Sequence, residues 1–291
     1  MENSPVSFDS SPPDDPFTAL FEAVGYRSVP DNKGRYIQGM LRLAHDDLAA
    51  LAFMRDPQII RLFANAGLRK GRAYTYREML GIAQPGSDDK RQRLNQQMQR
   101  MLAQSILLRG YNIRCPNCDL EIWYDLESMT SWHGLCQGCR SPVAISLEPH
   151  IAYRLNQLFI AGLKNGALTV LLTALWLKGD SDDPLTWRAG YVVDKDGQKT
   201  DIDLIARSGE TLTFAECKDN FASDEAGVNT LITQLERNLT VACDIGADRF
   251  MFATLIHEVP QQVIDFLDNV EDIETRLLLS GNLITDADQP L

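Results

Sequence analysis

The stretch that decides the fold is Thr200-Asp-Ile-Asp-Leu-Ile-Ala-Arg-Ser-Gly-Glu-Thr-Leu-Thr-Phe-Ala-Glu-Cys-Lys218. Its two apolar runs flank the pair Ser208-Gly209, which is typical of a tight turn, so the stretch predicts a hairpin of two strands. Because side chains alternate between the faces of a strand, Glu216 and Lys218 are expected on one face. Asp203 lies on the preceding strand, and the hairpin would therefore bring two carboxylates and one ammonium together.

This set of residue types suits the metal-assisted cleavage of a phosphodiester. Hard oxygen ligands hold Mg²⁺ or Mn²⁺ while leaving room for water and a phosphate oxygen, and the metal lowers the pKa of a bound water. We predict Asp203 and Glu216 as side-chain ligands, with the backbone carbonyl of Cys217 as a third. Lys218 is predicted to assist the nucleophile or to stabilise developing charge.

The motif Ile202-Asp-Leu204 followed by Phe214-Ala-Glu-Cys-Lys218 resembles the PD-(D/E)xK nuclease superfamily, which has the restriction-endonuclease-like fold. The resemblance covers roughly residues 150–290, and it implies an α/β domain that hydrolyses phosphodiester bonds with a divalent metal. The order of the flanking predicted elements also agrees. They are a helix over 165–178, a strand over 187–193, a helix over 225–243 and a strand over 249–255.

The resemblance also concerns the helix that follows the Glu-x-Lys strand. Members of the superfamily often carry a Gln there, and Gln234 falls at that place, which makes it the fourth catalytic candidate. The motif often continues to a Tyr four residues on, where this chain has Asn238. Many members also carry an acid on the first helix, but residues 165–177 contain none. These departures leave open whether one or two catalytic metals are used.

A cysteine quartet forms the second strong signal. Cys115-Pro-Asn-Cys118 and Cys136-Gln-Gly-Cys139 are two Cys-x-x-Cys knuckles with 17 residues between the inner cysteines, a spacing typical of a tetrahedral zinc site. A predicted strand over 121–126 lies between them, so the unit resembles a zinc ribbon. Four thiolates leave no open coordination position, so we predict a structural zinc ion that does not need His133.

The compartment follows from the cysteines and the hydropathy. Disulfide frameworks belong to secreted chains, and the acidic, polar start Met1-Glu-Asn-Ser-Pro is unlike a secretory leader. No apolar run approaches the roughly 20 residues that span a bilayer. We therefore expect a cytoplasmic chain that does not contact membranes, in which Cys217 and Cys243 are buried thiols.

Charge bears on the class of partner. The net charge of −12 argues against a nucleic-acid partner, but its distribution is uneven. The stretch 61–114 carries many basic side chains and only three acids, which are Glu78, Asp88 and Asp89. A basic segment of this kind favours contact with phosphates, although a set of solvated helix faces has the same composition.

The organisation predicted along the chain is multidomain α+β. Residues 1–16 are rich in Ser, Pro and Asp and are expected to be disordered. Residues 17–112 form a helical region that includes a predicted helix over 41–53. A capping box at Thr75 and a long basic helix over 88–108 favour a winged-helix module, which could contact DNA. Residues 113–148 are the zinc ribbon, and residues 149–291 are the nuclease domain with a mixed central sheet, which we expect to begin with a helix over 149–163.

The functional hypothesis is a cytoplasmic, Mg²⁺- or Mn²⁺-dependent endonuclease acting on nucleic acid, with DNA favoured. The combination with a zinc ribbon resembles prokaryotic restriction and phage-defence effectors. The alternative is a catalytically inactive adaptor that binds a partner protein or nucleic acid through the ribbon and the helical region. The substrate's specificity, a protein activator and a homo-oligomeric state remain open.

Overall fold

The computed structural model describes residues 15–126, 133–144, 151–180 and 183–284, and it is a mixed α+β protein. The chain divides into two compact units. One unit comprises Met1–Ile37 and Leu168–Leu283, and the other comprises Gln38–Ala167 and Ile284–Leu291. The predicted disordered tail lies almost entirely outside the described residues, as does the side chain of His133.

The elements are labelled in chain order. The helices are α1 Thr18–Ala23, α2 Asn32–Leu43, α3 Pro57–Ala64, α4 Ala66–Arg69, α5 Tyr76–Ala83, α6 Asp88–Ala103, α7 Gln157–Lys164, α8 Ala167–Asp180, α9 Glu225–Ile245, α10 Gln261–Asp268 and α11 Ser280–Leu283, with a 3₁₀ helix over Leu48–Arg55. The strands are β1 Arg27–Pro30, β2 Tyr74–Thr75, β3 Leu107–Arg114, β4 Glu121–Asp125, β5 His133–Leu135, β6 Pro142–Ala144, β7 Ile151–Leu155, β8 Leu185–Lys195, β9 Gln198–Ser208, β10 Thr211–Lys218, β11 Arg249–Thr254 and β12 Glu274–Leu278.

A six-stranded sheet forms the centre of the first unit, with the order β1-β8-β9-β10-β11-β12. Strands β1, β8, β9 and β10 pair antiparallel, whereas β10, β11 and β12 pair parallel. The predicted mixed central sheet is thus confirmed. The predicted β9–β10 hairpin, the strands around 187–193 and 249–255, and the helix around 225–243 are present with slightly different bounds.

The core of this unit explains why β10 is almost wholly apolar. Its residues from Leu212 to Cys217 are buried, as expected for a central strand covered on both faces. Helix α9 buries Val228, Leu231 and Leu235 in the core cluster of this unit. Helix α8 is apolar on all sides, which is typical of a helix surrounded by protein.

No single helix of the described residues is long and apolar enough to cross a membrane, although the broken pair α7 and α8 passes the length and composition test when both members are counted together.

The N-terminal segment belongs with this sheet, whereas the sequence grouped it with the helical region. Phe17 and Phe21 are fully buried in the sheet's core cluster, and β1 pairs with β8 from Arg27↔Asp194 to Pro30↔Tyr191. Burial of two aromatic rings and a strand edge fixes this segment to a sheet that lies more than 130 residues further along the chain. Sequence reasoning had no local signal for this pairing.

The second unit contains a four-stranded sheet of order β2-β7-β3-β4 beside its helices. The capping box at Thr75 and Glu78 is confirmed at the start of α5. The predicted helix over 149–163 is wrong in its first part, because Ile151–Leu155 pairs with β3 as strand β7 and Asn156 caps a shorter α7. The helices predicted over 41–53 and 88–108 are likewise shorter or interrupted, and β3 begins at Leu107.

Candidate active site and metal centres

The candidate site lies where the β9–β10 hairpin opens. The ladder between the two strands runs as far as Ala215↔Leu204. Beyond that pair, the backbone N–H of Cys217 donates to Oδ2 of Asp203 at 2.8 Å. The carboxylate of Asp203, which is only 2% exposed, therefore takes the place of a backbone acceptor. Since the N–H and C=O of one strand residue point to the same edge, the Cys217 carbonyl faces this edge too.

Glu216 lies beside this opening and is fully buried. Its Oε2 accepts a hydrogen bond from Asn238 Nδ2 at 2.6 Å. The Lys218 ammonium lies 2.7 Å from Oε1, so each oxygen of this buried carboxylate has a polar partner. Burial and the nearby charge of Asp203 raise the pKa of Glu216 to about 7, against the opposing effect of Lys218.

Helix α9 contributes an amide to the site, but through a different residue from the one predicted. Asn238 donates to Glu216 and accepts from Thr200 Oγ1 at 2.6 Å, so both ends of its buried amide are paired. Gln234 lies one turn earlier on the same face of the helix. It lines an open cavity of about 630 Å³ together with Asp201. The structure thus places Asn238 against the carboxylate and Gln234 beside the neighbouring cavity.

Lys33 is a member of the site that the sequence did not reveal. Its ammonium contacts Oδ1 of Asp203 across 170 residues of sequence. Its side chain is 18% exposed. Burial alone would lower the pKa of Lys33, but the negative charge of Asp203 outweighs it and raises the pKa to about 12. Lys33 lies in the first turn of α2, where no motif marks it, so only the tertiary structure identifies it.

A close approach between two backbone segments delivers Lys33 to the site. The β8–β9 ladder pairs Ala189 with Leu204 and Tyr191 with Ile202. Gly190 lies between these pairs, at the level of Asp203, and has a φ of +70°. Its carbonyl accepts the Asp31 N–H at 2.9 Å, and Asp31 Oδ1 accepts the Gly34 N–H at 2.6 Å. A side chain on Gly190 would overlap Asp31 and the Gly34 backbone. The lack of a side chain at position 190 is therefore what lets α2 begin beside Asp203.

The two cysteines outside the quartet, Cys217 and Cys243, differ in their exposure to solvent. The Cys217 thiol is buried on the other face of β10, where Thr173 Oγ1 lies 3.6 Å from its sulfur, and burial raises its pKa well above the usual value. This confirms a buried thiol at Cys217, but Cys243 is exposed and the same prediction for it is wrong. The acid of α8 is its last residue, Asp180, which pairs with Arg249 at 3.5 Å.

The carboxylate centre fits a divalent cation in its donor atoms. Asp203 and Glu216 supply hard carboxylate oxygens, and the carbonyl of Cys217 faces the same edge, a donor set suited to Mg²⁺ or Mn²⁺. Both carboxylates are buried, so a bound cation would offset the cost of keeping their charges away from water. Each carboxylate also has an ammonium against it, Lys33 at Asp203 and Lys218 at Glu216.

The cysteine quartet forms a compact cluster in the second unit. The sulfur atoms of Cys115, Cys118, Cys136 and Cys139 all lie within 4.8 Å of one another. Two of the separations are 3.7 Å and 3.5 Å. Four thiolates around a zinc ion with Zn–S distances near 2.3 Å would be about 3.8 Å apart. The cluster can therefore hold a zinc ion with little rearrangement.

Both knuckles are built by the same backbone geometry. The Cys115 N–H donates to the Leu120 carbonyl and the Cys136 N–H donates to the Ser141 carbonyl, each at 2.9 Å. Asp119 and Arg140 occupy equivalent positions and share a φ of 62°. The side chain and backbone of Ser141 donate hydrogen bonds that lower the pKa of Cys139 to about 6, which favours the thiolate that a metal requires. At Cys118 the Leu120 backbone acts in the same direction, but contacts with the Cys139 and Cys136 thiols outweigh it and raise the pKa to about 12.

Comparisons with known proteins give distant likenesses only. No family model matches the chain, and no curated protein matches it. Among solved structures, protein VC1899 from Vibrio cholerae aligns with 92% of this chain at 13% identity and a TM-score of 0.42. Can2 from Sulfobacillus thermosulfidooxidans, in complex with cyclic tetra-adenylate, aligns with 89% at 9% identity and a TM-score of 0.36.

The chain spans 58% and 56% of the lengths of these two proteins. Because both scores lie below 0.5, neither likeness carries an argument about the activity of this chain.

Proposed function

We propose that this chain is a metal-dependent endonuclease of the PD-(D/E)xK type that hydrolyses phosphodiester bonds in DNA. The observation that carries the proposal is the juxtaposition of two buried carboxylates and a lysine at the open end of one hairpin. Asp203 is fixed by the Cys217 N–H, and Glu216 lies against Lys218. Buried charges without a catalytic or binding role are rare because they cost free energy, so such a cluster indicates a functional site.

Each residue has a role that follows from its contacts. Asp203, Glu216 and the Cys217 carbonyl would hold the divalent cation, which polarises the phosphate and lowers the pKa of a bound water. Asn238 fixes the Glu216 carboxylate through its amide. The Lys218 ammonium, 26% exposed, can orient the attacking water and stabilise charge that develops on the phosphate.

Gln234 remains a proposed member of the site on a separate ground. It lies on the same face of α9 as Asn238 and lines the open cavity beside Asp201. A side-chain amide there can donate to a phosphate or sugar oxygen of the substrate. We propose that Gln234 contacts substrate, whereas Asn238 contacts the carboxylate.

The second unit supports DNA as the substrate. Helix α6 follows α5 and precedes the β3–β4 hairpin, the order of a winged-helix module, and Arg91, Arg100 and Arg109 are exposed along this stretch. Exposed guanidinium groups of this kind suit phosphate contacts. We propose that the thiol cluster holds a structural zinc ion that orders the adjoining strands, and that the chain acts as a cytoplasmic defence effector of the restriction type.

One observation favours a second candidate function. Both carboxylates already have an ammonium as partner, Lys33 and Lys218, so the cluster is formally neutral without any metal. A neutral, fully paired cluster is also what a catalytically inactive fold would retain. The second candidate is therefore an adaptor that binds a partner protein or nucleic acid through the second unit and cleaves nothing.

Cleavage assays with a matched pair of variants separate these functions. The purified chain would be incubated with supercoiled plasmid, linear duplex, single-stranded DNA and RNA in Mg²⁺, in Mn²⁺ and without divalent metal. Glu216→Gln should abolish cleavage, whereas Glu210→Gln, an exposed acid at the turn of the same hairpin, should keep it. Metal-dependent cleavage that survives in Glu216→Gln would refute the assignment, and no cleavage by any protein would favour the adaptor.

A further inference from the structure

Lys33 has no place in the proposed chemistry, yet it contacts one of the two carboxylates that carry it. The contact is with Oδ1 of Asp203, while Oδ2 of the same carboxylate is held by Cys217. Lys218 contacts the other carboxylate, that of Glu216. The two lysines therefore contact different acids, and Lys33 contacts the Asp203 oxygen that does not accept from the Cys217 N–H.

The charge balance of the centre gives this contact a consequence. Asp203 and Glu216 together carry two negative charges when ionised, and Lys33 and Lys218 carry two positive charges. The carboxylates of Asp31 and Asp201 lie near enough to add negative charge around the centre, but a divalent cation that approaches Asp203 is still repelled by the ammonium in contact with it. Since Asp203 is 2% exposed, an ammonium in contact with it must either share its oxygens with the metal or leave.

The position of Lys33 allows it to leave. Its side chain is 18% exposed, so its route to solvent is open, and the lysine stem rotates about several single bonds. The backbone that carries it is fixed, because the Asp31 side chain caps the Gly34 N–H and the Asp31 N–H donates to Gly190. Motion of Lys33 is thus a change of side-chain rotamer and does not require α2 to move.

Without Lys33, the buried carboxylate of Asp203 would keep its hydrogen bond from the Cys217 N–H but would lose its counter-charge. An unpaired buried charge costs several kcal/mol of folding free energy. Lys33 therefore stabilises the metal-free fold at the expense of metal affinity.

We propose that Lys33 is a positioning residue of the centre, an internal cation that holds Asp203 in the metal-free protein and that a divalent cation must displace. Lys33 lowers the metal affinity of the site. The activity therefore requires a higher concentration of divalent metal than it would if the carboxylates had no ammonium in contact. This inference rests on the proposed function, since it concerns the same carboxylates.

The test is the affinity for Mn²⁺, measured by calorimetric titration of the full chain with its zinc in place. Lys33→Met removes the charge and keeps the stem, and it should bind Mn²⁺ about tenfold more tightly or better. Lys195→Met removes a lysine that also pairs with one carboxylate, that of Asp244 at 2.9 Å, and its affinity should equal that of the wild type. A purely structural lysine would lower or leave unchanged the Mn²⁺ affinity when removed, so the sign of the change decides.

The outcomes are distinguishable. Wild-type binding that Asp203→Asn abolishes, together with unchanged or weaker binding in Lys33→Met, would overturn this inference and leave the nuclease proposal intact. No Mn²⁺ binding by either protein would overturn both. Should Lys33→Met fail to fold, the Lys33 Cε signal of the wild type, assigned by comparison with Lys33→Arg, replaces it in carbon NMR. It should shift on addition of Mg²⁺, and a signal that stays in place would overturn the inference.

Discussion

The thiol cluster and the carboxylate centre differ in how the chain assembles them. The four thiols lie within 25 residues of one another, on two knuckles with the same backbone hydrogen bonds. The carboxylates lie on neighbouring strands, and they acquire Lys33 from 170 residues away. A site built from neighbouring residues can be predicted from their spacing in the sequence. Residues that reach a site from distant segments cannot be predicted in this way.

Loss of one thiol tests the local site and should have the largest effect. Cys136 is fully buried, and Cys136→Ser should reduce bound zinc from one ion per chain to near zero, because structural zinc sites contribute about 10 kcal/mol or more to folding. Zinc content by mass spectrometry and hydrogen exchange over residues 115–144 would report this. Cys243→Ser, which alters an exposed thiol, serves as the control. One zinc per chain in Cys136→Ser would contradict the assignment.

A methyl group at position 190 tests the long-range assembly. Gly190→Ala places a Cβ against Asp31 and Gly34 at a φ of +70°, so we expect a loss of about 2–4 kcal/mol of unfolding free energy in urea. Gly197→Ala has a similar φ of +82° but open space around the Cβ, and it should cost about 1 kcal/mol. Equal losses would show that the approach of α2 to β8 does not matter. Zinc content should stay unchanged in both variants.

The pH dependence of stability tests the burial of Glu216. Its pKa rises from 4.5 to about 7 on folding, so the folded protein binds more protons than the unfolded chain between these values. The contribution of Glu216 to the free energy of unfolding should therefore be greatest below pH 4.5 and fall by about 3 kcal/mol as the pH rises to 7. Urea unfolding of Glu216→Gln in magnesium-free buffer should lack this component. An identical profile in wild type and variant would contradict it.

The smallest expected effect concerns the helix amide. Asn238→Ala removes two hydrogen bonds of a buried amide, so we expect a loss of about 1–3 kcal/mol of stability and a weaker hold on Glu216. Asn229→Ala, at an exposed position of the same helix, should change stability by less than about 0.5 kcal/mol. Equal thermal midpoints for the two variants would show that Asn238 is not a supporting residue of the site.

The sequence gives much of the fold where its signals are local. The β9–β10 hairpin, the flanking helices and the thiol quartet could be predicted, because strand alternation, turn residues and cysteine spacing act over a few positions. The placement of β1 and Lys33 could not, because pairing between distant segments leaves no periodicity in either. The helix predicted over 149–163 failed for the same reason, since β7 forms by pairing with β3.

The candidate site shows the same division. Asp203, Glu216 and Lys218 lie on one hairpin, and their proximity follows from alternation and register. In the sequence Asn238 is only a departure from the superfamily pattern, yet its amide contacts Glu216. Its position one turn beyond Gln234 was available as a signal, but the depth to which α9 packs decides which of the two amides reaches the carboxylate.

Cleavage of supercoiled plasmid in Mg²⁺ by two variants of one hairpin tests the central claim most directly. Asp203 is buried against Cys217, whereas Glu210 is exposed at the turn of the same hairpin. We predict that Asp203→Asn loses cleavage by a factor of about a thousand or more, whereas Glu210→Gln cuts at the wild-type rate. Equal cleavage by both variants would contradict the assignment of Asp203 as a metal ligand.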